Sequence, residues 1–171
     1  MIYTNATIKD IKGVSELQKK FHVSTISDEN RPHGFVTTLF TEDQFADLIE
    51  RENGIAIAKD GDKIVSYAMA ASWEYWSVWP LFAHMIEDLP NIEYLAQTLS
   101  TENSYQYGPI CVDTSYRGSE VLLKVFDFSR EQMNKRYPIL ITFINQINGR
   151  SMAAHTRKLG LDLIKEFTFN N

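Results

Sequence analysis

Apolar residues in the first third of the chain follow two periods. A short apolar run at residues 2–7 predicts a strand, and apolar side chains then recur every three or four residues up to Phe21, which predicts an amphipathic helix. A second helix is predicted to begin at a capping box, Thr41 with Gln44, and to end at Asn53-Gly54. The chain therefore opens with a strand followed by two helices.

The period then changes to that of β-structure. Residues 55–58 and 63–72 are rich in strand-forming residues and are joined by Asp60-Gly61-Asp62, so we expect an antiparallel hairpin. An isolated hairpin is only marginally stable. These two strands must therefore belong to a larger sheet.

Residues 73–82, WEYWSVWPLF, contain all three tryptophans of the chain. Such rings can line a pocket for an apolar acceptor, or they can form the core beneath an inserted helical segment. The helical spacing of apolar residues from Trp79 to Leu89 favours the core. Residues 91–100 predict another short helix.

The second half of the chain predicts a strand, a loop, a helix and a further strand. The first strand covers residues 104–113, the loop carries Arg117 and Gly118, and the helix runs from Val121 to about residue 137. Residues 139–144 form a nearly continuous apolar run, as in a strand that is buried on both faces. A right-handed crossover would make the two strands parallel and place the loop at their carboxyl ends, where open sheets bind ligands. A helix start of this kind also binds anions.

The last part of the chain predicts one more helix and one more strand. Asn148 can cap a helix that begins near Gly149, with Ser151 and His155 on one face. Residues 161–169 predict a final strand. The whole chain of 171 residues is expected to form a single domain, residues 1–171.

Composition narrows the class of partner. The net charge of -5 argues against nucleic acid or an anionic membrane as the main partner and favours a small molecule or a protein. The single cysteine, Cys111, excludes an intramolecular disulfide and a cysteine cluster for a metal, so we expect no metal. The start of the chain lacks the pattern of a signal peptide, and a cytoplasmic location is expected. A monomer or a homodimer is compatible with these data.

The order of elements and two of its segments resemble the GCN5-related N-acetyltransferase family, which uses acetyl-coenzyme A. Residues 112–118, VDTSYRG, resemble the family's entry into its pyrophosphate loop. Asn148, Ser151, His155 and Gly160 resemble its second motif. The resemblance implies a mixed α/β (α+β) fold, in which helices flank a twisted, mostly antiparallel sheet and a parallel strand pair is splayed at the cofactor cleft.

The same resemblance implies a set of cofactor contacts. The backbone of Ile110, Cys111 and Val112 would pair with the pantetheine arm, and Asn148, with Ser151 beyond it, would contact the cofactor where the sheet splays. Six consecutive residues of the loop and helix start would hold the pyrophosphate through their backbone N–H groups: Arg117, Gly118, Ser119, Glu120, Val121 and Leu122.

The family reaction is direct transfer of an acetyl group to a primary amine of a small molecule or a protein. His155 replaces the family's tyrosine and is the candidate proton donor to the departing thiolate, unless it only hydrogen-bonds its own helix. The segment between His155 and Gly160 is one residue longer than the family pattern. Glu74 is the candidate base, with an exposed, solvated glutamate as the alternative.

Aromatic side chains are the candidates for contact with the acceptor: Phe35, Trp73, Tyr75, Trp76 and Tyr107. Cys111 could suggest a covalent mechanism, but direct transfer needs no enzyme nucleophile and no base adjoins it in the sequence, so we assign it a packing or backbone role.

Two positions of the pyrophosphate loop depart from the family pattern, since Glu120 and Leu122 replace small residues. A carboxylate at about 4 Å from a phosphate would be repelled by about 4 kcal/mol at an effective dielectric of 20. Glu120 could face the loop, act as an intrinsic anion for the helix start, or point outward. The enzyme hypothesis therefore has an alternative: a non-catalytic binding module of the same fold with weakened coenzyme A binding.

Overall fold

The computed structural model describes residues 1–22, 24–29, 36 and 38–169. Its strands are β1 (Ile2–Asn5), β2 (Ile55–Asp60), β3 (Lys63–Ala71), β4 (Glu93–Tyr94), β5 (Gln97–Thr98), β6 (Ser104–Val112) and β7 (Ile139–Ile141). Five of them form one sheet in the order β1-β2-β3-β6-β7, and β4 pairs with β5 separately. All pairs are antiparallel except β6 with β7, which is parallel. The predicted hairpin and the predicted parallel pair are confirmed.

Six α-helices accompany the strands within the described residues: α1 (Ile11–Phe21), α2 (Glu42–Glu52), α3 (Trp73–Trp76), α4 (Pro80–Asp88), α5 (Val121–Asn134) and α6 (Gly149–Ala153). The predicted capping box begins α2, because Thr41 Oγ1 accepts from the Gln44 N–H at 3.1 Å and Gln44 Oε1 accepts from the Thr41 N–H at 2.9 Å. Asn53 ends the same helix in a left-handed conformation, with φ of 50°.

The sheet separates two apolar clusters. One face packs against α1, α2 and α3 and buries Phe45, Trp73 and Trp76. The other face packs against α5 and buries Tyr105 and Tyr107. Burial of apolar area on both faces of the central strands is the main stabilising term of this fold.

The strands β6 and β7 separate at a bulge. They pair only from Ser104 to Gln106, while the register of β3 against β6 shifts between Ala68 and Ala70, opposite Gly108. Beyond that point backbone groups of alternate β6 residues point to opposite edges. Since the Asp113 N–H donates to Val65 O on β3 at 2.8 Å, the backbone groups of Ile110 and Val112 point the other way, into the gap.

Three predicted elements are wrong or too long. Residues 91–100 contain the β4–β5 hairpin instead of a helix, and Leu95 and Ala96 form its turn with positive φ angles of 51° and 62°. Residues 161–169 form no strand, and β7 ends at Ile141 rather than at residue 144. In both strand cases the backbone has no neighbouring edge to pair with among the described residues, and strand propensity alone does not hold a strand.

Candidate active site

A cavity of about 360 Å³, here called the cationic cleft, opens between the end of β6, the following loop and α6. Ile110 and Val112, whose backbone groups point into the gap, form its floor. Arg117, Gly118 and Ser119 form one wall. Asn148 and Ser151 lie on the α6 side. The structure therefore brings together most of the residues that the sequence predicts for cofactor binding.

A buried carboxylate fixes the loop that follows β6. Asp113 is 1% exposed, and its Oδ1 accepts from the Ser115 N–H at 3.0 Å while its Oδ2 lies 3.1 Å from Lys20 Nζ. Burial opposes ionisation of this carboxyl, but the hydrogen bonds from Ser115 and Lys20 and the charges of Lys20 and Lys63 outweigh it, so the pKa of Asp113 is lowered. The start of the loop is therefore held in place by the contacts of the Asp113 carboxylate.

The loop leads into a helix start whose amide groups are available to a ligand. The first hydrogen bond of α5 runs from the Lys124 N–H to Glu120 O at 2.9 Å, so within the described chain the Leu122 and Leu123 N–H groups donate to no protein acceptor. Gly118 has φ of 79°, and a Cβ built on it would meet no atom within 4 Å. The amides and the space above Gly118 form a cradle for an anion.

Glu120 points away from this cradle. Its side chain is 78% exposed, and its Oε2 lies 3.0 Å from Lys124 Nζ on the outer side of α5. Glu120 is absent from the lining of the cleft, whereas Leu122 is part of it. Of the three predicted orientations of the Glu120 side chain, the outward one is observed, so a contact of Glu120 with the pyrophosphate could involve only its backbone N–H group.

The cleft is positively charged in a chain of net charge -5. Four cationic side chains line it: Arg117, Arg150, Arg157 and Lys158. Among its described lining residues there is no carboxylate. Burial lowers the pKa of the Arg117 guanidinium, and the nearby charge of Arg150 lowers it further. Such a concentration of like charge favours binding of a polyanion.

Three of these cations were missed by the sequence analysis. Arg157 and Lys158 follow Arg150 by seven and eight residues, which places all three on one helical face. That spacing was the available signal.

His155 is buried at 4% exposure, and its Nδ1 lies 2.8 Å from Ser151 O and 3.3 Å from Ser151 Oγ. A carbonyl oxygen only accepts, so Nδ1 carries the proton and Nε2 of the neutral ring is an acceptor. Burial lowers the pKa of His155, and the hydrogen bond to Ser151 O only partly offsets this effect. The neutral ring therefore prevails at neutral pH and has no Nε2 proton to give to a thiolate.

The extra residue before Gly160 is absorbed by a π turn. Residues Ala154–Lys158 form this wider turn directly after α6, and the Leu159 N–H donates to Ala154 O at 3.0 Å. A π turn accommodates one additional residue in a helix and is frequent at functional sites. Asn148 therefore precedes α6 and Gly160 follows the π turn, with no break in the helix between them.

Cys111 is one of the lining residues of the cleft, but its thiol has low reactivity. Burial raises the pKa of its thiol to about 12, so almost no thiolate exists at neutral pH. Its backbone faces β3, and Ser66 Oγ donates to Cys111 O at 2.7 Å. The predicted backbone pairing of Cys111 with a pantetheine arm is therefore wrong, and the packing role agrees with its burial.

The aromatic candidates for acceptor contact are mostly core residues. Trp73, Tyr75 and Trp76 are 0%, 3% and 0% exposed, and Trp73 Nε1 and Trp76 Nε1 donate to Ser104 Oγ and Gln106 O. Tyr107 is 0% exposed on the other face of the sheet, with its ring 5.9 Å from that of His155. None of these four side chains lines the cleft, so their assignment to the acceptor site is corrected to core packing.

The remaining two candidates lie elsewhere. Glu74 is an exposed residue in the first turn of α3 and is not part of the cleft lining. The structure thus supports the solvated alternative for Glu74 rather than the base. Phe35 lies outside the described residues.

Known proteins resemble this chain in three-dimensional structure rather than in overall sequence. No protein-family model matches the sequence, and a search of curated proteins found no match. The BH1408 protein of Bacillus halodurans, in a mutant form, is similar with a TM-score of 0.69 and 17% identity over 100% of this chain and 99% of that chain.

Two further similar structures hold a coenzyme. The aminoglycoside N-acetyltransferase AAC(6')-Iy, with a bisubstrate analogue of coenzyme A, has a TM-score of 0.65 and 13% identity, over 99% of this chain and 96% of that one. The yncA protein of Salmonella typhimurium, solved with its cofactor acetyl-coenzyme A, has a TM-score of 0.58 and 11% identity, over 93% and 78% of the two chains. The chain has the GCN5-related N-acetyltransferase fold. The predicted fold class is confirmed.

Other kinds of site receive no support within the described part of the chain. No cluster of three or more metal-ligating side chains occurs there. None of the helices described has the length and hydropathy of a membrane span.

Proposed function

We propose that the protein is an N-acetyltransferase that binds acetyl-coenzyme A in the cationic cleft and transfers the acetyl group to a primary amine. The observation that carries the proposal is the cleft itself: four cations and a helix start face a gap beside the splayed end of β6. The pyrophosphate and the additional phosphate of coenzyme A match this charge. The pantetheine arm matches the free backbone edge at Ile110 and Val112.

The residues of the cleft fit this cofactor. The Leu122 amide would hold the pyrophosphate, and Arg117, Arg150 and Arg157 would neutralise its charge. Similar structures that contain coenzyme A or acetyl-coenzyme A show that this fold can bind the cofactor, which supports the assignment. We infer the cofactor by combining that similarity with the charge of this cleft.

Transfer would proceed directly. The amine nitrogen forms a bond to the acetyl carbon, the carbon–sulfur bond of the thioester breaks, and the amine loses one proton while the thiolate gains one. The neutral His155 ring, with its proton on Nδ1, offers Nε2 as an acceptor for the amine proton. This role reverses the proton donation that the sequence predicted for His155.

A screen of primary amines for acetyl-coenzyme A-dependent thiol release tests the proposal. We expect release above the hydrolysis background with at least one amine, and a loss of at least tenfold in kcat for His155→Gln. His22→Gln is the matched control, because His22 lies outside the cleft. Binding of acetyl-coenzyme A with no release for any amine would support the non-catalytic module instead.

A further inference from the structure

A second cavity, of about 940 Å³, lies between β7 and the C-terminal segment 159–169. We call it the apolar cavity because large apolar side chains dominate its walls. Six of them illustrate this: Phe126, Ile141, Phe143, Leu161, Leu163 and Phe167. Its volume is that of sites which enclose a small-molecule ligand.

One residue is shared by the walls of the two cavities. His155 lines both the cationic cleft and the apolar cavity. Thr142, another wall residue of the apolar cavity, approaches the β6 bulge so closely that a Cβ on Gly108 would lie 3.2 Å from its Oγ1. The inner end of the apolar cavity is thus next to the place where β6 and β7 separate.

Most charged side chains around the apolar cavity already contact a polar or charged partner. Asp127 Oδ1 lies 3.5 Å from Arg130 Nη2, and Asp162 Oδ2 accepts from Tyr94 Oη at 2.5 Å. Lys165 is paired with Asp88. Within the described residues, Glu166 is the lining carboxylate for which no such contact is found. A polycation would need several available carboxylates, so this cavity suits an uncharged, apolar group.

We propose that the apolar cavity binds an extended apolar chain carried by one of the two substrates, either the amine or the acyl group of the thioester. The inference rests on the proposed function, since the apolar chain would extend from reacting atoms that lie beside His155, the residue common to both cavity walls. It specifies the substrate class: a reaction partner with an alkyl or aryl body, in contrast to a polyamine.

Two substrate series distinguish the sources. With acetyl-coenzyme A fixed, KM is measured for ethylamine, butylamine, hexylamine and octylamine; with butylamine fixed, kcat/KM is measured for acetyl, butyryl, hexanoyl and octanoyl thioesters. Full burial of a methylene strengthens binding by roughly fourfold. We expect at least a tenfold gain from the C4 to the C8 member in one series, which also names the source. No gain in either series, or a preference for spermidine, overturns the proposal.

Variants locate the effect in the cavity. Leu163 and Phe167 are 59% and 39% exposed, so Leu163→Gln with Phe167→Ser should fold, and we expect it to remove most of the chain-length gain. Val78→Gln is the matched control, because Val78 is 77% exposed and lines neither cavity. An unchanged gain in the double variant would contradict the assignment.

Calorimetry with octylamine, without any thioester, separates this inference from the proposed function. Binding that the double variant loses supports the cavity even if no transfer is found. Conversely, turnover of ethylamine with no octylamine binding and no chain-length gain in the thioester series would leave the transferase in place and reject the apolar cavity as its substrate site.

Discussion

The Glu120 carboxylate lies 3.0 Å from the Lys124 ammonium on the exposed side of α5. The negative charge that would repel a bound pyrophosphate is therefore turned away from the cleft. The residue stands where the loop meets the helix, but only its backbone belongs to the cradle.

Replacing Glu120 should leave cofactor binding almost unchanged. Because its side chain is 78% exposed and screened by solvent and salt, Glu120→Gly should alter the Kd of acetyl-coenzyme A by less than about threefold at 0.15 M salt. A Glu120 carboxylate that faced the loop would instead repel the pyrophosphate, and its removal would then strengthen binding. Titration calorimetry of the wild type, Glu120→Gly and Glu120→Gln decides between them, and a gain of tenfold or more would return Glu120 to the site.

Gly118→Ala should weaken both stability and cofactor binding. Its φ of 79° is strained for any residue with a Cβ, at a cost of about 1–2 kcal/mol, and the added methyl group enters the space left for a phosphate. Gly61→Ala is the matched control, since Gly61 has φ of 62° and equally open surroundings but lies in the β2–β3 turn.

Chemical denaturation and calorimetry measure the two effects of these variants separately. We expect similar losses of unfolding free energy in both, and a higher Kd for acetyl-coenzyme A only in Gly118→Ala. An equal Kd in the two variants would argue against a ligand above Gly118.

The elements that the sequence predicts well are those with a local signal. The capping box at Thr41, the turn at Gly61 and the cap at Asn148 each depend on residues a few positions apart. The 91–100 segment was missed because Leu95 and Ala96 take positive φ angles without the Asn or Gly that usually marks such a turn.

The parts of the site that escaped prediction depend on long-range placement. Whether Trp73 lines a pocket or fills the core depends on its partner Ser104, 31 residues away, and the direction of the Glu120 side chain depends on helix geometry. Periodicity placed Ser151 and His155 on one face, but the proton position on His155 required the distance to a carbonyl oxygen.

His155 should titrate below the ordinary value of 6.5. Burial lowers its pKa, and the hydrogen bond to Ser151 O does not compensate fully. NMR titration of the ring resonances, assigned by comparison with His155→Gln, measures the value. A pKa at or above 6.5 would contradict the buried, neutral ring.

The same shift predicts how stability depends on pH. Since the unfolded state binds the His155 proton at higher pH than the folded state, stability from this group is fully present above about pH 6.5 and is lost as pH falls toward the folded pKa. Urea unfolding between pH 7.5 and pH 5 should show a smaller decrease for His155→Gln than for the wild type. Equal decreases would show that other groups account for the pH dependence.

Cys111 should resist modification in the folded protein and be dispensable for transfer. Its thiol is 4% exposed, with a pKa raised by burial to about 12. We expect slow reaction with a disulfide reagent until urea unfolds the chain, and acetyl transfer within about threefold of wild type for Cys111→Ala. Rapid labelling under native conditions, or loss of turnover in a variant that still folds, would indicate a covalent role.

Calorimetric titration of acetyl-coenzyme A into the wild type and Arg150→Gln/Arg157→Gln measures whether the cationic cleft binds this cofactor. Lys12→Gln serves as the control, because Lys12 is exposed and lies outside the cleft. We predict saturable binding by the wild type and the control, with a Kd at least tenfold higher in the double variant. No binding by the wild type, or equal affinity in all three proteins, would show that the cationic cleft is not a binding site for acetyl-coenzyme A.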